Sequence, residues 1–201
     1  ASTNERRVAS GSNYYYEGAT TVTPTRTEDA DDTGTDGDYT WFKWTDTAAT
    51  GSYSADAAET EVEWLVVAAG GSGGASNHGG GGGAGGLRTS YGSTSGGGAD
   101  AEDDLSLGSG TTYTITVGAG VTNDSGGVSS ITGSDIDDIT TVGGGKGGRH
   151  GVTDGSVGGS GGGGTYNSSS GAAGTADEGS AGGGGYGTTN YGCGGGGGAS
   201  A

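Results

Sequence analysis

Apolar positions in this chain come in short runs that stop at glycine. The longest, Trp64-Leu65-Val66-Val67-Ala68-Ala69, empties into Gly70-Gly71-Ser72-Gly73-Gly74 and, after Ala75-Ser76-Asn77-His78, into the five glycines 79 to 83. A short apolar, β-branched run bounded by glycine predicts a buried strand, since it is too brief for a 3.6-residue period to develop. The unit recurs where Ile115-Thr116-Val117 meets Gly118-Ala119-Gly120 and where Ile139-Thr140-Thr141-Val142 meets Gly143-Gly144-Gly145. Tyr39 to Thr45 concentrates two of the three Trp and the only Phe, a β-favouring composition. Thr112 to Val117 alternates, placing Tyr113, Ile115 and Val117 on one face. Further strands are predicted around Tyr53, over Glu61 to Ala69, Leu87 to Tyr91, Leu105 to Leu107, Val128 to Ile131 and Ile136 to Val142, with Trp41, Trp44 and Trp64 supplying much of the apolar burial. No helix is predicted.

Composition makes those strands insufficient by themselves. Leu, Ile, Val and Phe together account for 20 of 201 residues and the formal net charge is -17. That combination ordinarily gives disorder, because so little apolar surface cannot offset chain entropy. The 54 glycines deepen the problem, each losing roughly 0.5–1 kcal/mol more than alanine on folding. One physical solution is the polyglycine II helix, a left-handed helix with three residues per turn whose N–H and C=O groups all point outward to neighbouring helices. The glycine runs 79 to 83, 161 to 164, 182 to 185 and 194 to 198 have lengths suited to such a bundle; a Gly-X-Y period is absent and there is one Pro. The expected fold class is therefore all-β with glycine-rich non-regular structure: short, sandwich-like strands plus a polyglycine II bundle, without α-helix.

A composition change near residue 38 divides the chain. Residues 1–37 are polar, carry Pro24 and the acidic Glu28 to Asp32, and read as an extended arm or connector; Tyr14, Tyr15 and Tyr16 are its candidate docking point on a partner. Residues 38–201 read as one glycine-rich domain, an aromatic strand module (38–69) followed by a glycine-rich body (70–201). With 24 Asp and Glu against 7 Lys and Arg, binding to a phosphate backbone is not expected. No apolar run approaches a membrane span. The absence of any Met predicts a processed or partial piece of a longer polypeptide, and the lone Cys193 has no internal disulfide partner.

Chemical motifs are weak throughout. A G-x-G-x-x-G match within 79–86 has no helix after it, and Gly145-Lys146 is followed by Gly147 where a phosphate-binding loop needs Ser or Thr. His78 and His150 have no ligand-spaced Cys or carboxylate, so no zinc site is expected. Asp135, Asp137 and Asp138 are weak calcium candidates, for which a solvated acidic loop is the simpler account. No catalytic constellation and no cofactor are expected, and a glycan-degrading enzyme would need a paired-carboxylate cleft.

The order of these segments resembles the glycine-rich domain of bacteriophage tail-fibre proteins and adhesins. The residues that carry the resemblance are Asp38-Tyr39-Thr40 to Phe42, Val62 to Gly71, the polyglycine tract with Gly85-Gly86-Leu87, Tyr113 to Gly120, Ser129 to Ile131, Ile139 to Gly145, and Tyr186-Gly187 to Ala199. The resemblance implies a non-enzymatic virion protein at the tail fibre or tail tip, contacting other virion proteins and a host-surface receptor, either an outer-membrane protein or a glycan. It admits a homotrimer, as in fibres, or a single chain. The receptor-contact candidates are the side chains that rise out of glycine tracts: Asn77, His78, Arg149, His150, Tyr166, Asn167, Tyr186, Asn190 and Tyr191. A capsid head-fibre or decoration protein, and an extracellular-matrix or ice-binding protein, are the alternatives.

Overall fold

The alternating segment around Tyr113 lies at the centre of the largest sheet. A computed structural model describes residues 5–7, 14–16, 26–36, 39–75, 77–151, 154–167, 169–187 and 191–200. Strands β3 (Arg26–Glu28), β6 (Gly51–Ala55), β11 (Tyr113–Thr116), β12 (Ser129–Thr132) and β13 (Ile139–Thr141) form a five-stranded antiparallel sheet in the order β13-β12-β11-β6-β3. Four antiparallel pairs accompany it: β1 (Glu5–Arg7) with β2 (Tyr14–Tyr16), β4 (Asp32–Asp36) with β5 (Tyr39–Lys43), β7 (Glu59–Val62) with β10 (Leu105–Leu107), and β8 (Leu65–Val67) with β9 (Leu87–Thr89). The chain is all-β, with no α-helix among the described residues. Strands β3 and β4 lie within the stretch read from the sequence as a connector. The three tyrosines 14–16 form β2; their side chains lie outside the described residues.

Two small apolar clusters sit against the sheet. Tyr53, Leu107, Tyr113 and Ile115 form one, flanked by Phe42, Trp44, Val62, Leu105 and Ile136; Trp64, Val66 and Ile139 form the other. The three tryptophans do not share this burial equally. Trp64 is 7% exposed, Trp44 stands edge-on to Tyr53 at 6.5 Å, and Trp41 is 39% exposed. Strand alternation explains the difference, because Phe42 faces the core and so turns its neighbours Trp41 and Lys43 outward. The expected strand Glu61 to Ala69 is two strands. Glu61 has φ +57° and lies inside β7 where its register with β10 shifts, as at a β-bulge; β7 ends at Val62 and pairs β10, while β8 starts at Leu65 and pairs β9.

Beyond the sheets, glycine segments are held by backbone hydrogen bonds that recur every third residue. The N–H groups of Gly80, Gly83 and Gly86 donate to the carbonyls of Gly148, Gly145 and Val142, each at 2.8 Å; their carbonyls accept from Gly74, Gly71 and Ala68, each at 2.9 Å. One position on, Gly81 and Ala84 donate to Gly194 and Gly197 and accept from Gly163 and Ser160. Segment 80–86 therefore bonds to four neighbours, where a β-strand has at most two. The absence of Cβ atoms permits this spacing: one added at Gly163 would overlap the Gly194 carbonyl and lie 2.6 Å from the Gly195 oxygen. All of residues 158–165 are buried. In this body the backbone itself is the core, and its buried N–H and C=O groups pair largely with one another.

The bonding register also sets direction. Segments 68–74, 143–148, 160–165 and 180–185 run one way and 80–86, 155–159, 169–174 and 193–198 the other, as the pairs Gly80 to Gly148, Gly148 to Gly163, Ser156 to Lys146, Gly161 to Ser180, Gly182 to Ala172 and Gly183 to Gly195 require. The described residues of the four connections (75, 77–79, 149–151, 154, 166–167, 186–187 and 191–192) consequently fall at one end of the glycine body.

Candidate functional site

That end gathers four rings, one from each of the four connections. His78 stacks on Tyr191 with centroids 4.6 Å apart and planes 17° from parallel, and meets Tyr166 at 5.1 Å with planes 64° apart. His150 stacks on Tyr166 at 5.5 Å and 10°, and Tyr166 meets Tyr191 at 5.2 Å. These lie in the range at which aromatic pairs attract one another. The cluster remains open to solvent: His78, His150 and Tyr191 are exposed, Tyr191 by 50%, and Tyr166 is partly covered.

The loops hold these rings at the expense of backbone strain. His78 (φ +65°), Asn167 (φ +70°) and Tyr191 (φ +49°) all adopt the left-handed region. For side chains larger than glycine this costs about 1–2 kcal/mol, least for Asn. Local hydrogen bonds enforce the shape: Gly74 N–H donates to Gly80 O (2.9 Å), Tyr186 N–H to Gly192 O (2.8 Å) and Asn167 N–H to Gly187 O (3.2 Å). Clustered outliers of this kind mark positions where the side chain matters more than an easy backbone.

Of the nine residues singled out in the sequence, four thus form one cluster. Asn77, Arg149 and Asn167 are exposed chain neighbours of His78, His150 and Tyr166. Tyr186 is 75% exposed and opens the loop that ends in Tyr191, without joining the stack. Asn190 lies outside the described residues. Sequence reading did not bring the two imidazoles and two phenols together. The available signal was their position: each stands within three residues of a glycine tract's end, where an extended segment must reverse.

Asp135, Asp137 and Asp138 line an open groove with Glu102, Asp103 and Asp104, beside Trp64 and Arg88. Among the described residues no group of three or more His, Cys, Asp or Glu is arranged to hold a metal ion. Asp135 is instead a structural acceptor: its Oδ2 takes hydrogen bonds from Gly108 N–H, Thr111 Oγ1 and Tyr113 OH, each at 3.0 Å. Desolvation raises its pKa, but the donors Tyr113, Thr111 and Gly108 outweigh this and hold the carboxyl below its ordinary range. Asp29 is lowered by the Ser52 N–H and the Trp44 indole, Asp31 by the N–H groups of Thr45 and Asp46, and Asp32 by Lys43. A depressed carboxyl contributes stability above its unfolded value of about 3.9 and loses it as pH falls through the folded value. The melting temperature is therefore expected to fall below about pH 4, and Asp135→Ala to reduce that fall; calorimetry across the acid range reads both.

The model of the glycine-rich domain family matches residues 45–201. The chain belongs to this family. No curated protein and no solved structure matches it. The family match takes in the whole glycine body and all four ring-bearing loops of this glycine-rich domain, together with β6 to β13.

The strained Tyr191 offers a test of what these loops are for. Tyr191→Gly removes ring contacts worth about 1 kcal/mol while relieving backbone strain of about the same size. Its thermal stability is expected to stay near that of the parent chain. A large drop would make Tyr191 a packing residue instead.

Proposed function

We propose that this chain is a non-enzymatic virion component, a tail-fibre or tail-tip adhesin domain that attaches the particle to a host-surface receptor. The observation that carries the reading is the convergence of His78, His150, Tyr166 and Tyr191, one from each of four loops, at one end of the body. Solvent-open rings held on strained backbone fit a recognition surface. The order of strand and glycine segments, which resembles phage adhesins, supports the virion setting.

The three-residue hydrogen-bond period is that of polyglycine II, and we read segments 68–74, 80–86, 143–148, 155–159, 160–165, 169–174, 180–185 and 193–198 as a bundle of such helices. It serves as a rigid stalk that needs little apolar burial and leaves its end loops free to vary. Weak contacts at each tip would sum by repetition on one particle. The test is immunogold labelling of particles from the producing culture with antibody against residues 38–201. Gold at the distal end of the tail is the expected result; gold over the capsid would favour a decoration protein, and labelling confined to cells or matrix would overturn the virion reading.

A further inference from the structure

Among the described residues, the basic side chain next to the ring cluster differs from the others. Arg26, Lys43 and Arg88 are each neutralised by a carboxylate, Glu59, Asp32 and Glu102 respectively. Lys146 donates to the Asn123 carbonyl at 2.7 Å. Arg149, immediately before His150, is exposed and makes no ion pair with a described residue. Among the described residues of a chain with 24 acidic side chains, an exposed guanidinium without a carboxylate partner, one position before a ring of the cluster, is the exception. Asp154, the next carboxylate after Arg149 in the chain, accepts from Ser170 N–H at 2.9 Å.

We propose that this end of the glycine body binds an anionic glycan, one sugar ring lying on the exposed face of Tyr191 and a carboxylate or phosphate of the same glycan held by Arg149. The proposal deepens the host-contact reading and rests on it. Ring faces are electron-rich and attract the polarised C–H groups of a pyranose. A guanidinium offers paired N–H donors whose geometry matches both carboxylate and phosphate, which a lysine would not. The overall negative charge repels anions at long range, so binding depends on short-range pairing at Arg149 and is selective for a ligand that also fills the ring platform.

The experiment uses the full chain and titration calorimetry with four probes: trigalacturonate, its fully methyl-esterified form, mannose 6-phosphate and mannose. We expect at least one charged probe to bind about tenfold or more tightly than its uncharged counterpart. The uronate and phosphate arms separate the two sources of charge. Tyr191→Gly should abolish binding, and Arg149→Gln should remove only the preference for charge. Absence of binding, equal binding of charged and neutral forms, survival of binding in Tyr191→Gly, or survival of the preference in Arg149→Gln each overturns the proposal. Gold at the tail tip with no sugar binding would sink this inference alone, whereas sugar binding with gold elsewhere would sink only the tail assignment.

Discussion

Gly163→Ala is expected to destabilise the glycine body by about 2–3 kcal/mol or more, as overpacking does when the obstruction cannot move. The added methyl would overlap the Gly194 carbonyl, with the Gly195 oxygen 2.6 Å away. These are backbone atoms, already committed to hydrogen bonds. Gly163 N–H donates to Gly81 O at 2.8 Å, its carbonyl accepts from Gly148 N–H at 2.8 Å, and Gly194 N–H donates to Gly164 O at 2.8 Å. Relief of the clash must therefore stretch bonds to several segments at once, and no side-chain rotation is available to absorb it. The control lies in the same tract: Gly195 is exposed, and a Cβ there meets nothing within 4 Å. Gly195→Ala should change stability by no more than about 0.5 kcal/mol. Chemical denaturation of both variants decides the matter, and equal tolerance at 163 and 195 would mean that the close-packed body does not form.

The strand plan was legible where side chains report on it. Tyr113 and Ile115 are buried on one face of β11 as their alternation requires, and the Ile139 run is a strand of the same sheet. The break between Val62 and Leu65 was not legible, since no turn residue marks it inside an otherwise strand-like run. Within the body the difficulty is more basic. A glycine tract has no faces, so its sequence does not disclose which neighbours it will bond or which way it runs. The period of three resides in the backbone and appears only when Gly80, Gly83 and Gly86 are seen to share one partner segment. The ring cluster was hidden for the same reason: His78, His150, Tyr166 and Tyr191 were each visible, but their meeting depends on the directions of eight segments. Glu59 was lost in an acidic background, with nothing local to show that it would be buried.

Glu59→Ala is expected to cost about 3 kcal/mol, the scale for removing one partner of a buried ion pair. Glu59 is 8% exposed, and its carboxylate accepts from Tyr53 OH at 2.5 Å and from Arg26 Nε at 2.8 Å, with a second Arg26 nitrogen at 2.6 Å. Arg26 lies on β3, Tyr53 on β6 and Glu59 on β7, so one carboxylate fastens the edge of the five-stranded sheet to the neighbouring pair. Removing it leaves a guanidinium whose side chain is 16% exposed without its counter-charge, beside Phe42. Replacing both charges with Arg26→Met and Glu59→Leu should recover most of the loss, because the desolvation cost of the pair disappears along with its attraction. The same contact sets an alkaline limit. Burial, reinforced by the hydrogen bond to Glu59 and its charge, pushes the Tyr53 phenol far above its ordinary value. A raised phenol contributes stability that is fully present below its unfolded pKa of about 10 and is lost as pH rises toward the folded value. Denaturation midpoints measured from neutral pH to above pH 10 should therefore fall in the parent chain and fall less in Glu59→Ala; parallel curves for the two proteins would show that Tyr53 and Glu59 are not coupled.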